Sequence, residues 1–208
     1  MPSPLRLIVD NLAIDRGGRR VLEAVGFAVA GGEALVVTGA NGAGKSTLLA
    51  GLAGLLPLAE GRIGLDGADD PEAPVAEYCH YVGHREALKS ALTPRESLAF
   101  WRDMLGAGRP GLEPEAALAE FDLAHAVDFP CGYLSAGQRR RASLARILVA
   151  PRPIWLLDEP VTALDVASQA RFADLMRAHL AGGGLIVAAT HAPIGLEAAR
   201  ALHLGQAA

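Results

Sequence analysis

Short apolar runs alternate with amphipathic stretches along this chain. Ala34–Thr38, Ile154–Asp158 and Leu185–Ala189 are almost continuously apolar over strand length, the pattern of strands covered on both faces. Leu5–Ile14 alternates loosely, and Val21–Val29 follows the turn-forming Arg16–Gly17–Gly18–Arg19–Arg20, so two N-terminal strands are expected before Gly31–Gly32. Gly61–Asp66 and Tyr78–Val82 read as further strands on either side of an acidic, proline-containing loop at Asp69–Pro74, and Ala201–Leu204 as a last one. Helical periodicity runs from Lys45 to about Leu55 and from about Val166 to Leu180.

From about His84 to Ala150 the chain changes character. Thr93–Pro94–Arg95–Glu96 puts a capping Thr, a Pro at the first helical position and a Glu at the third, which predicts a helix start. That helix carries Leu98, Trp101 and Leu105 on one face and stops at Gly106; Gly106–Pro114 is linker-like, and Glu115–Ala126 predicts another helix. Ser135-Ala-Gly-Gln138 repeats the capping pattern ahead of Leu144, Ile147 and Leu148. A mostly helical insert, about 84–150, thus interrupts an α/β core formed by 1–83 and 151–208. Buried strands alternating with helices imply a parallel, doubly wound sheet.

Composition narrows the function classes. At 208 residues there is room for one α/β domain with one sizeable insert, and 51% hydrophobic against 20% charged residues allows a buried core and argues against wholesale disorder. No window of 18 uncharged apolar residues occurs, so a membrane span is not expected. Met1–Arg6 lacks a basic stretch followed by an apolar one, so a secretory leader is not expected either. A formal net charge of −4 argues against coating nucleic acid. Two widely separated cysteines, Cys79 and Cys131, exclude a disulfide scaffold and fit a reducing compartment.

The chemistry starts at Gly39-Ala-Asn-Gly-Ala-Gly44-Lys45-Ser46, a full G-x-x-x-x-G-K-[ST] phosphate loop between a buried strand and a helix. Its glycines let backbone N–H groups turn inward around phosphates, and the following helix offers its positive end. Lys45 is expected on the β- and γ-phosphates and Ser46 on Mg²⁺. Ile154-Trp-Leu-Leu-Asp158-Glu159 ends a buried strand in two carboxylates; Asp158 is expected to hold Mg²⁺ through water and Glu159 to polarise the attacking water. His191, after another buried strand, is expected to contact the γ-phosphate. Arg139–Arg140–Arg141 reads as a solvated face, and Phe100, Trp101 and Met104 as core or subunit contact. Cys79, Cys131, His80, His125 and His179 form no haem or metal pattern.

Leu134-Ser135-Ala136-Gly137-Gln138 resembles the signature motif of the ATP-binding-cassette (ABC) ATPases, with Ala136 where the motif usually has its first Gly. Ala163-Leu164-Asp165 resembles that family's D-loop, and His191 its switch histidine. The resemblance covers essentially the whole chain and implies the ABC ATPase architecture: a phosphate-loop NTPase with a mostly parallel core, an N-terminal antiparallel β region and an inserted helical subdomain. It also implies an ATPase that uses ATP and Mg²⁺, with Gly39, Ala40, Asn41, Gly42, Ala43, Gly44, Lys45, Ser46 and Thr47 on ATP. Lys45, Glu159 and His191 would carry catalysis, Ser46 and Asp158 would hold Mg²⁺, and Asp165 would be the D-loop acid. Ser135, Ala136, Gly137 and Gln138 would act from a second subunit of a homodimer.

Two positions depart from the family pattern. Arg16 stands where an aromatic residue usually stacks on adenine; an Arg plane can stack there too. His84, after Tyr81–Val82–Gly83, stands where the family has a Gln facing the transmembrane partner. Tyr81-Val-Gly-His84, Ala87–Thr93, Ala189-Thr-His191-Ala-Pro193-Ile-Gly-Leu196 and the abrupt end after them are similar to the ATPases of cytochrome c maturation haem exporters. That resemblance implies a peripheral subunit at the cytoplasmic face of a bacterial inner membrane, driving integral membrane subunits and touching no nucleic acid. The alternatives are the ATPase of another ABC exporter, or an ABC ATPase working on DNA or ribosomes, which would need a coiled-coil insertion or two cassettes in one chain. A small-molecule kinase would have no use for the signature and D-loop.

Overall fold

The strand Ile154–Asp158 faces two cores at once. Ile154 and Leu156 join one apolar cluster and Trp155 and Leu157 the other, because successive side chains of a strand point to opposite faces. The computed structural model describes residues 4–70, 72–106 and 110–205. Met1–Ser3 of the N-terminal stretch read for a secretory leader, Pro71 of the acidic loop and residues 107–109 of the linker lie outside the described residues.

In chain order the elements are β1 (Arg6–Arg16), β2 (Arg19–Ala30), β3 (Ala34–Thr38), α1 (Lys45–Leu52), β4 (Glu60–Asp66), β5 (Cys79–Val82), α2 (Pro94–Leu105), α3 (Pro114–Glu120), α4 (Ala136–Val149), β6 (Ile154–Asp158), α5 (Val166–Ala181), β7 (Leu185–Ala189) and β8 (Arg200–His203). Strands β2-β1-β4 form an antiparallel sheet, and β5-β6-β7-β3-β8 a parallel one. Leu35, Val37 and Leu156 pack with Leu48 and Leu49 of α1 and Leu7 and Leu12 of the antiparallel sheet. The opposite face sets Trp155, Leu157 and Ile186 against Leu144 and Ile147 of α4 and Phe172 of α5. Every parallel strand ends at the same edge, which is where such sheets bind ligands.

Both expected capping boxes form: Thr93 and Ser135 each accept from the N–H three residues on, at 3.2 Å, and Glu96 and Gln138 reach back to the cap N–H. The helix expected over Glu115–Ala126 is shorter, ending at Glu120. Asp122 there takes a left-handed φ of 56°, which no helix can continue through, and a 3₁₀ turn follows at Ala124–Ala126. Likewise α1 stops at Leu52, with Gly54 at φ 70° turning the chain, and Tyr78 belongs to a 3₁₀ turn ahead of β5.

Two histidines sit in the helical-side interior around Trp155. His80 lies beside it in register on β5 and donates through Nε2 to the Ala150 carbonyl; His179 of α5 stacks on the indole with ring centroids 3.9 Å apart. Desolvation pushes His80 down to about 3 and His179 to about 4, so both stay neutral in the fold. The unfolded chain takes up these protons near pH 6.5 and the fold does not, so their stability contribution is present above that pH and is lost as pH falls toward the folded values. Each should remove about 2 kcal/mol between pH 7 and pH 5. Urea midpoints at the two pH values check this, and His179→Phe, which keeps a ring on Trp155, should shrink the deficit by one histidine's share. A midpoint flat from pH 7 to 5 would contradict it.

Candidate active site

The chain after β3 has backbone torsions that L side chains rarely adopt: Gly39, Gly42 and Gly44 have φ of 140°, 84° and 95°. Gly44 caps α1 with no side-chain hydrogen bond, and a Cβ there would meet Leu22 Cδ2 at 2.6 Å. The first N–H groups of α1 therefore have no side-chain cap and open toward an anion. Lys45 is buried, and its Nζ donates to the carbonyls of Gly39 at 2.8 Å and Ala40 at 3.0 Å, inside its own loop.

The neighbouring strand ends complete a cavity of about 430 Å³. Asn41, Gly42, Gly44, Lys45, Ser46 and Thr47 line it together with Asp158 at the end of β6, Glu159 just after it, His191 two residues past β7, Val21 and Arg16. Gly39, Ala40 and Ala43 complete the loop behind this wall. Asp158 is buried, Glu159 half-buried and His191 exposed. Glu159 Oε2 accepts from Thr190 Oγ1 at 3.1 Å, its N–H donates to Ala189 O at 2.8 Å, and its φ of 46° is a strained value for a residue with a side chain, costing of order 1–3 kcal/mol. His191 Nε2 lies 3.2 Å from Asn41 Oδ1, which joins the β7 end to the phosphate loop. Arg16 is exposed at the end of β1, on the rim of the cavity.

Ser135, Ala136, Gly137 and Gln138 do not line this cavity; they open α4, with Ser135 and Ala136 exposed. Gly137 brings the start of α4 against the D-loop, where an added Cβ would stand 3.0 Å from Ala163 O. Asp165 caps α5 by accepting from Ser168 N–H at 2.7 Å, and that bond lowers its pKa from the ordinary aspartate value. His84 is exposed after β5 and lines a second, larger groove with Tyr81, Trp101, Met104 and Leu55; Ser46 and Asp158 reach the floor of that groove as well.

One expectation at this site needs correction. Arg139–Arg140–Arg141 is no solvated face: Arg139 donates to Leu134 O at 2.6 Å, Arg141 to Phe121 O at 2.9 Å, and Arg140 is buried against the carboxyl end of β6. Charge alone could not foretell this, because the acceptors are backbone carbonyls. Of the three residues read as core or subunit contact, Phe100 and Met104 are exposed and so outside the core, and Trp101 is half-buried under Arg146, whose guanidinium carbon lies 5.1 Å from the ring centroid.

The sequence matches the family described as "ABC transporter" over residues 22–162. It is 55% identical over 203 residues to the cytochrome c biogenesis ATP-binding export protein CcmA of Mesorhizobium japonicum, covering 98% of this chain and 100% of that one. The protein of the same name from Rhodopseudomonas palustris (strain BisB5) is 58% identical over 193 residues, covering 93% and 94%. Among solved structures, the ATP binding subunit of an ABC transporter is similar with a TM-score of 0.81 at 25% identity, covering 95% of this chain and 85% of that one.

Proposed function

This chain belongs to the ABC transporter family, and from that premise we propose that it is the ATP-hydrolysing subunit of an exporter serving cytochrome c biogenesis, with haem as the exported species. The observation that carries the reading is the convergence of Lys45, Ser46, Asp158, Glu159 and His191 on one cavity at the carboxyl edge of the parallel sheet.

On ATP binding, Lys45 exchanges the carbonyls of Gly39 and Ala40 for the β- and γ-phosphates, and the N–H groups of the loop and of the α1 start surround the phosphate oxygens. Glu159 orients a water for attack on the γ-phosphorus. The proton passes to its carboxylate as the bond to the β–γ bridging oxygen breaks, and ADP and inorganic phosphate leave. Thr190 fixes one carboxylate oxygen, so the other faces the water. His191 exchanges Asn41 Oδ1 for the γ-phosphate and donates to it. The Ser46 hydroxyl and the Asp158 carboxylate are hard oxygen donors on one cavity wall, a set that suits Mg²⁺, which takes few protein ligands alongside phosphates and waters. When bound, that ion neutralises charge developing on the phosphates. Arg16 lays its guanidinium plane on the adenine.

We further propose a head-to-tail homodimer in which Ser135 and Gly137 of each subunit, at a capped helix start, cover the γ-phosphate held by the other. Integral membrane subunits dock on the groove of His84, where Leu55 and Met104 are exposed apolar side chains, from the cytoplasmic face of the membrane. Among the described residues no helix is long and apolar enough to cross a membrane, so the partners supply the span. With a net charge of −4, nucleic acid is not among the partners we propose. A bacterial strain lacking its own copy of the export ATPase tests the reading: this chain should restore c-type cytochromes, and Glu159→Gln should not. Cytochrome levels unaffected by the wild-type chain would count against this export role.

A further inference from the structure

The middle arginine of the basic run gives its whole guanidinium to main-chain oxygens. Arg140 Nε donates to Pro160 O at 3.2 Å, Nη1 to Gly83 O at 2.9 Å, and Nη2 to Asp158 O at 3.1 Å and Glu159 O at 2.7 Å. The side chain is 3% exposed, and burial lowers its pKa from the ordinary arginine value. In an extended strand successive carbonyls point alternately to opposite sides. Here three consecutive carbonyls, 158 to 160, converge on one group, so the chain must leave β6 in a turn, and Glu159 takes its left-handed φ of 46° within that turn. Buried carbonyls crowded on one side need donors, and only a planar fork with several fixed N–H directions meets them all at once.

We infer that Arg140 is a positioning residue for Glu159: its guanidinium holds the end of β6 in the turn that aims the Glu159 carboxylate into the nucleotide cavity. The same group bonds Gly83, so the segment leading to His84 shares the clamp. The inference rests on Glu159 being the base proposed above. Lys offers one compact ammonium and Gln one amide, so neither can span four acceptors.

Steady-state ATPase kinetics of Arg140→Gln and Arg140→Lys test it. Misaiming a general base without touching the ligand should lower kcat roughly tenfold to hundredfold and leave KM within about threefold, with Arg140→Lys losing less than Arg140→Gln. Because Arg140 acts through Glu159, the double variant Arg140→Gln/Glu159→Gln should turn over no more slowly than Glu159→Gln alone. Should Arg140→Gln fail to fold by circular dichroism, Arg140→Lys carries the same comparison, single and double. A wild-type kcat in Arg140→Gln beside an inactive Glu159→Gln overturns the positioning role alone. Additive losses in the double variant, or KM rising in step with the fall in kcat, overturn it too, by reducing Arg140 to general support. Wild-type turnover by Glu159→Gln would overturn the base assignment and this inference with it.

Discussion

Glu159→Gln should bind ATP with near-wild-type affinity and fail to turn it over. The amide has the shape of the carboxylate, and its carbonyl oxygen can still accept from Thr190 Oγ1, now at 3.1 Å. The backbone that places the residue, with its N–H on Ala189 O, is untouched. What disappears is the capacity to take a proton from water, a loss of about 10²–10⁴-fold where a side chain serves as general base. Calorimetry with ATP and a phosphate-release assay read the two halves separately. Lys45→Ala should invert the pattern, with binding weakened first, since the ammonium lies buried in the phosphate loop itself. Wild-type turnover by Glu159→Gln would take the residue out of the base role.

The parts of this site that local sequence encodes were legible. A phosphate loop is one continuous stretch whose glycines, lysine and serine each answer to a local demand, and β3, β6 and β7 are apolar because both faces of the parallel sheet are covered. The carboxyl-edge position of Asp158, Glu159 and His191 follows from the parallel connection of those strands. What local pattern could not carry is tertiary. The left-handed Asp122 that ends α3 early sits inside a stretch of unbroken helical character. The Arg140 clamp depends on carbonyls just past β5 and β6 that come together only in the folded chain, and a basic residue between two others reads as solvated until those acceptors are in view. His80 and His179, which a sequence can only list as unmatched histidines, become paired neutral rings through Trp155.

Mixing two inactive variants should restore activity. Lys45→Ala breaks the phosphate-loop half of a site, and Ser135→Arg puts a long cation where the α4 start would meet the γ-phosphate. Within one chain Ser135 does not line the cavity that holds Lys45, Asp158, Glu159 and His191, so its substitution should leave that cavity as it is. It also removes a helix cap, worth about 1 kcal/mol, so circular dichroism should first establish that the variant is folded. If the signature acts from the partner, each variant alone is dead: every homodimer has two broken loops or two broken signatures. A heterodimer places the intact loop of the Ser135→Arg subunit against the intact signature of the Lys45→Ala subunit, and concentrates both lesions in the other site. Random pairing of equal amounts makes about half the dimers heterodimers with one good site of two, so ATPase should recover to about a quarter of wild type when the sites fire independently. The arrangement needs ATP between the subunits, so a Glu159→Gln sample should sediment as a dimer with ATP and as a monomer without it. Ser135→Arg retaining activity by itself would mean that each subunit completes its own site, and a mixture with no recovered turnover would mean that the signature does not cross between subunits.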